Sequence, residues 1–224
     1  MEKVLVIAPH PDDEIIGCGA TMAKHIAKGN EVYVVISTQA SLGAPELFTL
    51  EGTKRCRQEA LSAHQYLGVK QTFFLDFPAP ALNAYPEYKI SNSFVEIFKN
   101  LNPTVLYIPH HGDLHQDHKA IYRAALVAAR PMGNNRIHSI YCYETLSETE
   151  WAPLQEKAFV PNCFVNVTET FGRKITAMQF YKTQLKTFPH PRSVDALEAL
   201  ATFRGATVHV SKAEAFIIER QIEF

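Results

Sequence analysis

The sequence predicts an α/β fold: an open, mostly parallel, Rossmann-like sheet with helices on both faces. Short continuous apolar runs alternate along the chain with longer segments in which apolar residues recur every three or four positions. Continuous apolar runs are typical of strands buried on both faces, as in parallel sheets. The alternation of the two patterns indicates β-α-β units with right-handed crossovers. We expect residues 1–224 to form a single domain.

The first β-α-β unit is predicted from the first 37 residues. Residues 4–8 form a continuous apolar run, which predicts a buried strand. Residues 14–28 have helical spacing, and Gly29 can end that helix as its C-terminal cap. Residues 31–37 are a second apolar run. A strand, a helix and a strand in this order predict a parallel pair joined by a crossover helix.

The rest of the chain continues the alternation. Further helices are expected at residues 51–67, 93–101, 115–130, 171–185 and 193–204. Further strands are expected at residues 71–75, 104–109, 137–143, 163–167 and 215–218. The Pro- and Ala-rich segment 77–86 is expected to be an irregular loop.

Composition limits the classes of function. A chain of 224 residues that is 46% hydrophobic can bury a substantial core. The net charge is −1 and the charges are interspersed, so no nucleic acid partner is expected. The four cysteines form no CxxC pair, so a disulfide framework is not expected. No apolar run approaches the roughly 18 residues of a membrane span, so we expect a cytoplasmic protein without a membrane span. Whether the chain forms homo-oligomers is left open.

Two polar segments directly follow predicted strands. Residues 10–14 (HPDDE) come after the strand at 4–8, and residues 115–118 (HQDH) come soon after the strand at 104–109. In open α/β sheets, sites form beyond the carboxyl ends of the parallel strands. If both strands are parallel, both segments emerge at one edge of the sheet, and we expect them to be close in space.

Three side chains of these segments have the chemistry of a catalytic zinc site. Catalytic zinc usually takes three protein ligands and keeps a fourth position open for water. Two imidazoles and a carboxylate form one such set, and the natural set here is His10, Asp13 and His118. Such an ion lowers the pKa of its bound water from 15.7 to about 7. Fe²⁺ or another divalent ion also suits this set, so Zn²⁺ is the expected metal but not the only one.

The same segments offer the other groups that a metal-dependent hydrolase needs. Asp12 suits the general base, and His115 suits a donor to the developing oxyanion. Asp117 could hold an imidazole in its correct tautomer. The alternative is structural: adjacent aspartates often cap the free N–H groups at a helix start, and the histidines would then be exposed loop residues.

At these residues the chain resembles the PIG-L/LmbE-like deacetylase family. Residues 8–14 (APHPDDE) and 115–118 (HQDH) resemble the family's AHPDDE-type and HxDH motifs, and weaker similarity extends across nearly the whole chain. The resemblance implies zinc-dependent hydrolysis of an N-acetyl group, a linear amide, commonly on an N-acetylglucosamine conjugate. By matched position, the resemblance also implies that zinc is bound by His10, Asp13 and His118. It further implies that Asp12 is the general base and that His115 steadies the oxyanion.

Three departures from the family pattern concern the loops around the site. Pro9 replaces the usual Ala, which stiffens the loop without changing its chemistry. Leu114 stands where several relatives carry a basic residue, which weakens the case for an acidic aglycone. Segment 77–81 lacks the acidic residue that many relatives place there.

Three further residues are candidates for contact with the substrate, and each has a structural alternative. Arg57 could bind a substrate oxygen or carboxylate, or lie on a solvated helix face. His111 could bind a sugar hydroxyl, or shape the turn that contains it. Arg192 could belong to the rim of the site, or only precede a helix capped by Ser193.

Two other functions compete with deacetylation. A β-lactamase-type metallohydrolase would explain HxDH as the end of an HxHxDH motif, but that motif needs a histidine where this chain has Asp113. A non-catalytic metal- or sugar-binding module would keep the ligands and lack the base, whereas Asp12 and His115 are both present.

Overall fold

The apolar runs of the chain pair into one sheet. The computed structural model describes residues 1–133, 135–153 and 158–223. Its strands are β1 (Lys3–Ala8), β2 (Glu31–Gln39), β3 (Gln71–Pro78), β4 (Val105–Pro109), β5 (Ser139–Tyr143), β6 (Cys163–Asn166) and β7 (Ala213–Gln221). Their order is β3-β2-β1-β4-β5-β7-β6. Strands β1 to β5 are parallel, and β7 is antiparallel to both β5 and β6, so the predicted mostly parallel sheet is confirmed.

The described residues form helices between most of these strands. They are α1 (Asp13–Ala27), α2 (Ala40–Gly43), α3 (Leu50–Leu67), α4 (Glu87–Leu101), α5 (Gln116–Ala128), α6 (Phe171–Met178) and α7 (Val194–Ala206), with a short 3₁₀ turn at Leu82–Ala84. Within the described ranges, none of the helices combines the length and the hydropathy that crossing a membrane requires.

The sheet has a hydrophobic core on each face. Successive side chains of a strand point to opposite faces, and in β1 this places Val4 and Val6 in one core and Leu5 and Ile7 in the other. Helices α1, α3 and α6 contribute to the first core, and α4 and α5 to the second. All five residues Val4–Ala8 are fully buried, which confirms the predicted two-sided burial of β1.

Two helices differ from their predicted bounds by more than two residues at one end. Helix α4 begins at Glu87 rather than at residue 93, because Ile90 is the one buried apolar residue of its first six positions and gives little periodic signal. Helix α6 ends at Met178 rather than at residue 185. The residues after it form turns instead, and Tyr181 in these turns is fully buried.

The two polar segments meet at the point where the chain switches sides of the sheet. Strand β1 pairs in parallel with both β2 and β4, so the chain runs outward in one direction through β2 and β3 and in the other through β4 and β5. Ligand sites of open α/β sheets form at such a switch point, outside the carboxyl ends of the strands. The expectation that both segments leave the same edge of the sheet is confirmed.

We predict that Gly17→Ala lowers the free energy of unfolding by about 1–3 kcal/mol, because the added methyl group must displace side chains of a well-packed core. A Cβ atom on Gly17 would lie 2.3 Å from Cδ2 of Tyr143. Tyr143 cannot easily retreat, since it is fully buried and its hydroxyl donates a hydrogen bond to the Ile7 carbonyl at 2.9 Å. Urea denaturation measures the change in the free energy of unfolding.

Gly172→Ala is the matched control for Gly17→Ala. Gly172 lies in α6, and a Cβ atom there would meet nothing within 4 Å. The urea midpoint of Gly172→Ala should equal or exceed that of the unsubstituted protein, because alanine favours a helix more than glycine does. Equal midpoints for the two variants would show that α1 does not pack as tightly against Tyr143 as the structure has it.

Candidate metal centre

Three side chains from the two polar segments converge on one point. Oδ2 of Asp13 lies 3.3 Å from Nδ1 of His10 and 3.3 Å from Nε2 of His118. One ligand atom from each of the three lies within 4.8 Å of the others, close enough for one metal ion. His10 is in the loop after β1, Asp13 opens α1, and His118 is in the first turn of α5. The structure thus brings together the three predicted metal ligands.

Each histidine is held at its other ring nitrogen by a carboxylate. Nε2 of His10 lies 3.1 Å from Oδ2 of Asp117, and Nδ1 of His118 lies 2.7 Å from Oδ2 of Asp113. Thr149 in turn donates its hydroxyl to Oδ1 of Asp113 at 2.6 Å. Carboxylates in this position fix the tautomer and the orientation of histidines that bind metals. The sequence signals Asp113 only through its place in the same loop as His118.

The carboxylates favour positive charge at the centre of this cluster. Burial lowers the pKa of His10, but hydrogen bonds to Asp117 and Asp13 outweigh it and raise that pKa to about 9. Burial also lowers the pKa of His118, but the charge of Asp13 and the hydrogen bond to Asp113 outweigh burial. The pKa of His118 is therefore well above its ordinary value. The pKa of Asp13 is well below its usual range, because the two histidines overcome the effect of its burial.

The cluster fits a divalent cation. Two buried atoms of the ligand candidates, Oδ1 of Asp13 and Nε2 of His118, have no hydrogen-bond partner among the described residues. A buried polar group left without a partner costs about 1–3 kcal/mol, and a cation bound by both atoms would remove that cost. Two imidazoles and a carboxylate are also a donor set that zinc accepts.

A second group of potential ligands shares one of these residues. His10, His115 and Asp117 also place ligand atoms within 4.8 Å of one another. In this group, however, the Asp117 carboxylate is already engaged, since it binds His10 and accepts the Leu82 backbone N–H at 3.0 Å. The group of His10, Asp13 and His118 is therefore the better cation site.

Asp12 points into the site because of its backbone. Its φ of 113° lies in the left-handed region, which costs a non-glycine residue about 1–3 kcal/mol. Its side chain makes no capping bond to α1, and Asp13 accepts the His10 backbone N–H at 2.9 Å. Helix capping therefore does not explain the Asp pair. Burial raises the pKa of Asp12 to about 7 against the opposing charge of Arg192.

A buried network around Glu14 holds this strained turn. Oε2 of Glu14 accepts the Asp12 backbone N–H at 3.1 Å, while Oε1 accepts from the Tyr181 hydroxyl and from Nε2 of His64, the latter at 3.1 Å. Nδ1 of His64 is paired with the Thr72 hydroxyl at 2.8 Å. Glu14 and Tyr181 are fully buried, and His64 nearly so. Nothing in the sequence pattern connects these residues.

His115 is positioned as a hydrogen-bond donor. The backbone N–H of Asp117 donates to Nδ1 of His115 at 3.1 Å. Burial and the charge of His10 lower the pKa of His115 to about 4, so its ring is neutral near neutral pH. With Nδ1 acting as an acceptor, the single ring proton sits on Nε2. His115 can therefore offer an N–H group to a bound oxygen.

A cavity of about 440 Å³ opens beside the cluster, and His10, Asp12 and His115 line it. Its walls come from loops at the carboxyl ends of several parallel strands and from the first turns of α3. The lining includes polar side chains, namely Glu148, Thr183, Gln184 and Arg192, and apolar ones, namely Ala40, Leu47, Phe48, Ala79 and Pro80. Three larger surface cavities, of about 780, 690 and 470 Å³, include none of the three ligand candidates.

Arg192 is the predicted substrate residue that the structure brings to the cavity. Its Nη1 donates to Oδ2 of Asp12 at 3.0 Å, and its Nε donates to the Ser147 hydroxyl at 2.7 Å. Ser193 does cap α7, accepting from the Ala196 N–H at 3.1 Å. Arg192 thus lines the cavity while Ser193 caps α7, so the two roles suggested for this segment do not exclude each other.

The other two candidates for substrate contact do not line the cavity. The Arg57 guanidinium binds Oδ1 of Asp76 at 2.7 Å and lies 4.9 Å from the centre of the Phe74 ring. The His111 ring packs against Tyr122, with 5.2 Å between the ring centres.

Comparison with known proteins points to one family. Residues 5–129, which include both polar segments, match the PIG-L family model, described as GlcNAc-PI de-N-acetylase. The chain is 32% identical over 186 residues to the uncharacterized deacetylase YaiS of Escherichia coli K12, covering 80% of this chain and 90% of that protein.

Two further proteins support the comparison. Identity is 27% to the probable N-acetyl-alpha-D-glucosaminyl L-malate deacetylase 2 of Bacillus cereus, covering 82% of this chain and 84% of that protein. The crystal structure of the conserved protein TT1542 from Thermus thermophilus shares the fold, with a TM-score of 0.80 at 24% identity over 100% of this chain and 97% of that chain.

We predict that Glu14→Gln lowers the free energy of unfolding by about 2 kcal/mol, the size expected for buried hydrogen bonds to a charged group. The amide offers one acceptor oxygen where the carboxylate accepts from three donors. Glu96→Gln is the control, because Glu96 is exposed and its ion-pair partner among the described residues is exposed Lys99; its effect should stay within about 0.5 kcal/mol. Equal effects in guanidinium denaturation would contradict the role of the network.

Proposed function

The chain belongs to the PIG-L family, and on that premise we propose that it is a metal-dependent deacetylase that removes the N-acetyl group from an N-acetylglucosamine-type sugar or its conjugate. The observation that carries the proposal is the convergence of His10, Asp13 and His118 beside a cavity that Asp12 and His115 also line. The relatives support the chemistry, since both proteins compared by sequence are named as deacetylases and one name specifies an N-acetylglucosaminyl group.

We assign His10, Asp13 and His118 as the ligands of Zn²⁺, with Fe²⁺ or another divalent ion as alternatives. When bound, such an ion polarises the acetamide carbonyl and makes the attacking water more acidic. Asp117 and Asp113 keep the two imidazoles oriented and neutralise part of the charge that the ion brings.

Asp12 is assigned as the general base. It takes a proton from the attacking water and later delivers a proton to the amine that leaves. Arg192 contacts Oδ2 of Asp12 at 3.0 Å, which leaves Oδ1 to accept the proton. The left-handed turn held by Glu14 directs this carboxylate to the cavity rather than to the N-terminus of α1.

His115 is assigned as the donor that steadies the developing oxyanion. Its Nε2–H donates to the carbonyl oxygen as that oxygen gains negative charge, which is where a preorganised donor contributes most to catalysis. The backbone N–H of Asp117 holds the ring in the tautomer that this role needs. Acetate and a free amino sugar are the products.

We predict that Asp12→Asn reduces kcat for acetate release by about 10²–10⁴-fold, the usual contribution of a general base. Metal content should stay at the wild-type level, because Asp12 is not among the assigned ligands. The measurement is acetate release from a panel of N-acetylglucosamine conjugates, together with metal per chain. Asp76→Asn is the control, since Asp76 pairs with Arg57 and does not line the cavity. Near-normal turnover by metal-loaded Asp12→Asn would rule out this assignment.

Removal of the metal should abolish acetate release, and a divalent ion should restore it.

We further predict that Asp113→Asn weakens metal affinity by about 10–100-fold, because the carboxylate orients His118. Competition with a chromophoric chelator measures the affinity, and Asp195→Asn, at an exposed position of α7, should leave it unchanged. Activity that survives complete removal of the metal would defeat the assignment of the ligands.

A further inference from the structure

We propose that the substrate carries a neutral, apolar aglycone, and that Leu47 and Phe48 form the subsite that binds it. The inference rests on the proposed function and narrows its substrate class. Three features of the cavity support it. They are the exposed apolar wall formed by Leu47 and Phe48, the spacing of that wall from Asp12, and the pairing of the Arg192 guanidinium.

The apolar wall is exposed in the structure. Leu47 and Phe48 line the same cavity as Asp12 and His115, yet 71% of Leu47 and 45% of Phe48 is accessible to solvent. Neighbouring Leu42 and Leu50 are each 53% exposed. A group of exposed large apolar side chains beside a polar site is typical of a surface that binds an apolar ligand.

The wall is separated from Asp12 by a length of helix. Cys56 also lines the cavity, and its sulfur lies 3.5 Å from Nε2 of Gln184. Oε1 of Gln184 in turn accepts from Arg192 at 3.3 Å, and Arg192 contacts Asp12. From Cys56 to Thr49, the N-cap residue of α3, seven steps along the helix rise about 10 Å. The polar residues around Asp12 can therefore hold the acetamide and the sugar, with the next group on Leu47 and Phe48.

The charges of the cavity disfavour an acidic aglycone. Among the described residues that line it, Arg192 is the one Lys or Arg side chain. Its guanidinium is already paired with Asp12 at 3.0 Å and lies 3.7 Å from Glu148. An anionic aglycone would therefore find no unpaired Lys or Arg side chain among the described lining residues and would face the carboxylates of Asp12 and Glu148, whereas a neutral apolar group meets no such cost.

Three N-acetyl-β-D-glucosaminides with a common sugar test this proposal: the methyl, phenyl and 4-carboxyphenyl glycosides. We expect kcat/KM for acetate release by the metal-loaded chain to be about tenfold higher for phenyl than for methyl, the scale of apolar discrimination by a pocket. The 4-carboxyphenyl glycoside should lose that advantage. Leu47→Ser/Phe48→Ser should lower the phenyl-to-methyl ratio, and Leu61→Ser, at a 41% exposed position of α3 that does not line the cavity, should keep it.

Each outcome decides something. Equal kcat/KM for methyl and phenyl, or a preference for 4-carboxyphenyl, overturns the aglycone subsite while deacetylation stands. No acetate from any of the three glycosides counts against the proposed function and removes the basis of this inference with it. If the double variant keeps the ratio but changes the oligomeric state in light scattering, Leu47 and Phe48 belong to a contact between copies of the chain. Because each ratio comes from one preparation, partial loss of folded protein does not alter it.

Discussion

Glu14 accepts hydrogen bonds from three parts of the chain: the Asp12 backbone N–H, the His64 ring in α3 and the Tyr181 hydroxyl beyond α6. The rest of the site depends on this buried carboxylate. It holds Asp12 in a left-handed conformation that a non-glycine residue adopts only when its surroundings impose it. Since the turn is fixed, Asp12 faces the cavity while the next residue, Asp13, faces the two histidines. One carboxylate thus separates the proposed roles of two adjacent aspartates.

The sheet supplies the second constraint. Because β1 and β4 are parallel neighbours at the switch point, the loops that follow them must leave together, and His10 and His118 come within reach of the same carboxylate. Asp113 and Asp117 then stabilise positive charge on those imidazoles from the outside. Within this arrangement, a divalent ion would satisfy buried atoms that the protein alone leaves without partners. Binding and orientation therefore follow from the same contacts.

Local patterns in the sequence are sufficient to predict the strands of the sheet, its mostly parallel character and the closeness of His10, Asp13 and His118. Continuous apolar runs identify buried strands, and parallel strands share a carboxyl edge, so this prediction needs no knowledge of loop paths. The pairing of Glu14 with Tyr181 joins residues 167 positions apart, and that of Arg192 with Asp12 joins residues 180 apart. Such contacts depend on how loops run and on where helices such as α6 end, and neither is encoded in a short pattern. Arg57 shows the same limit, since a helical pattern does not reveal that its partner is Asp76.

In the proposed mechanism, His10, Asp13 and His118 hold the catalytic metal. The most direct measurement is X-ray diffraction from crystals of the zinc-loaded protein, with anomalous data collected on both sides of the zinc absorption edge. The geometry predicts one dominant anomalous peak, bonded to Nδ1 of His10, a carboxylate oxygen of Asp13 and Nε2 of His118 at about 2.0–2.2 Å. A dominant peak between His10, His115 and Asp117, or no peak at the switch point of the sheet, would contradict it.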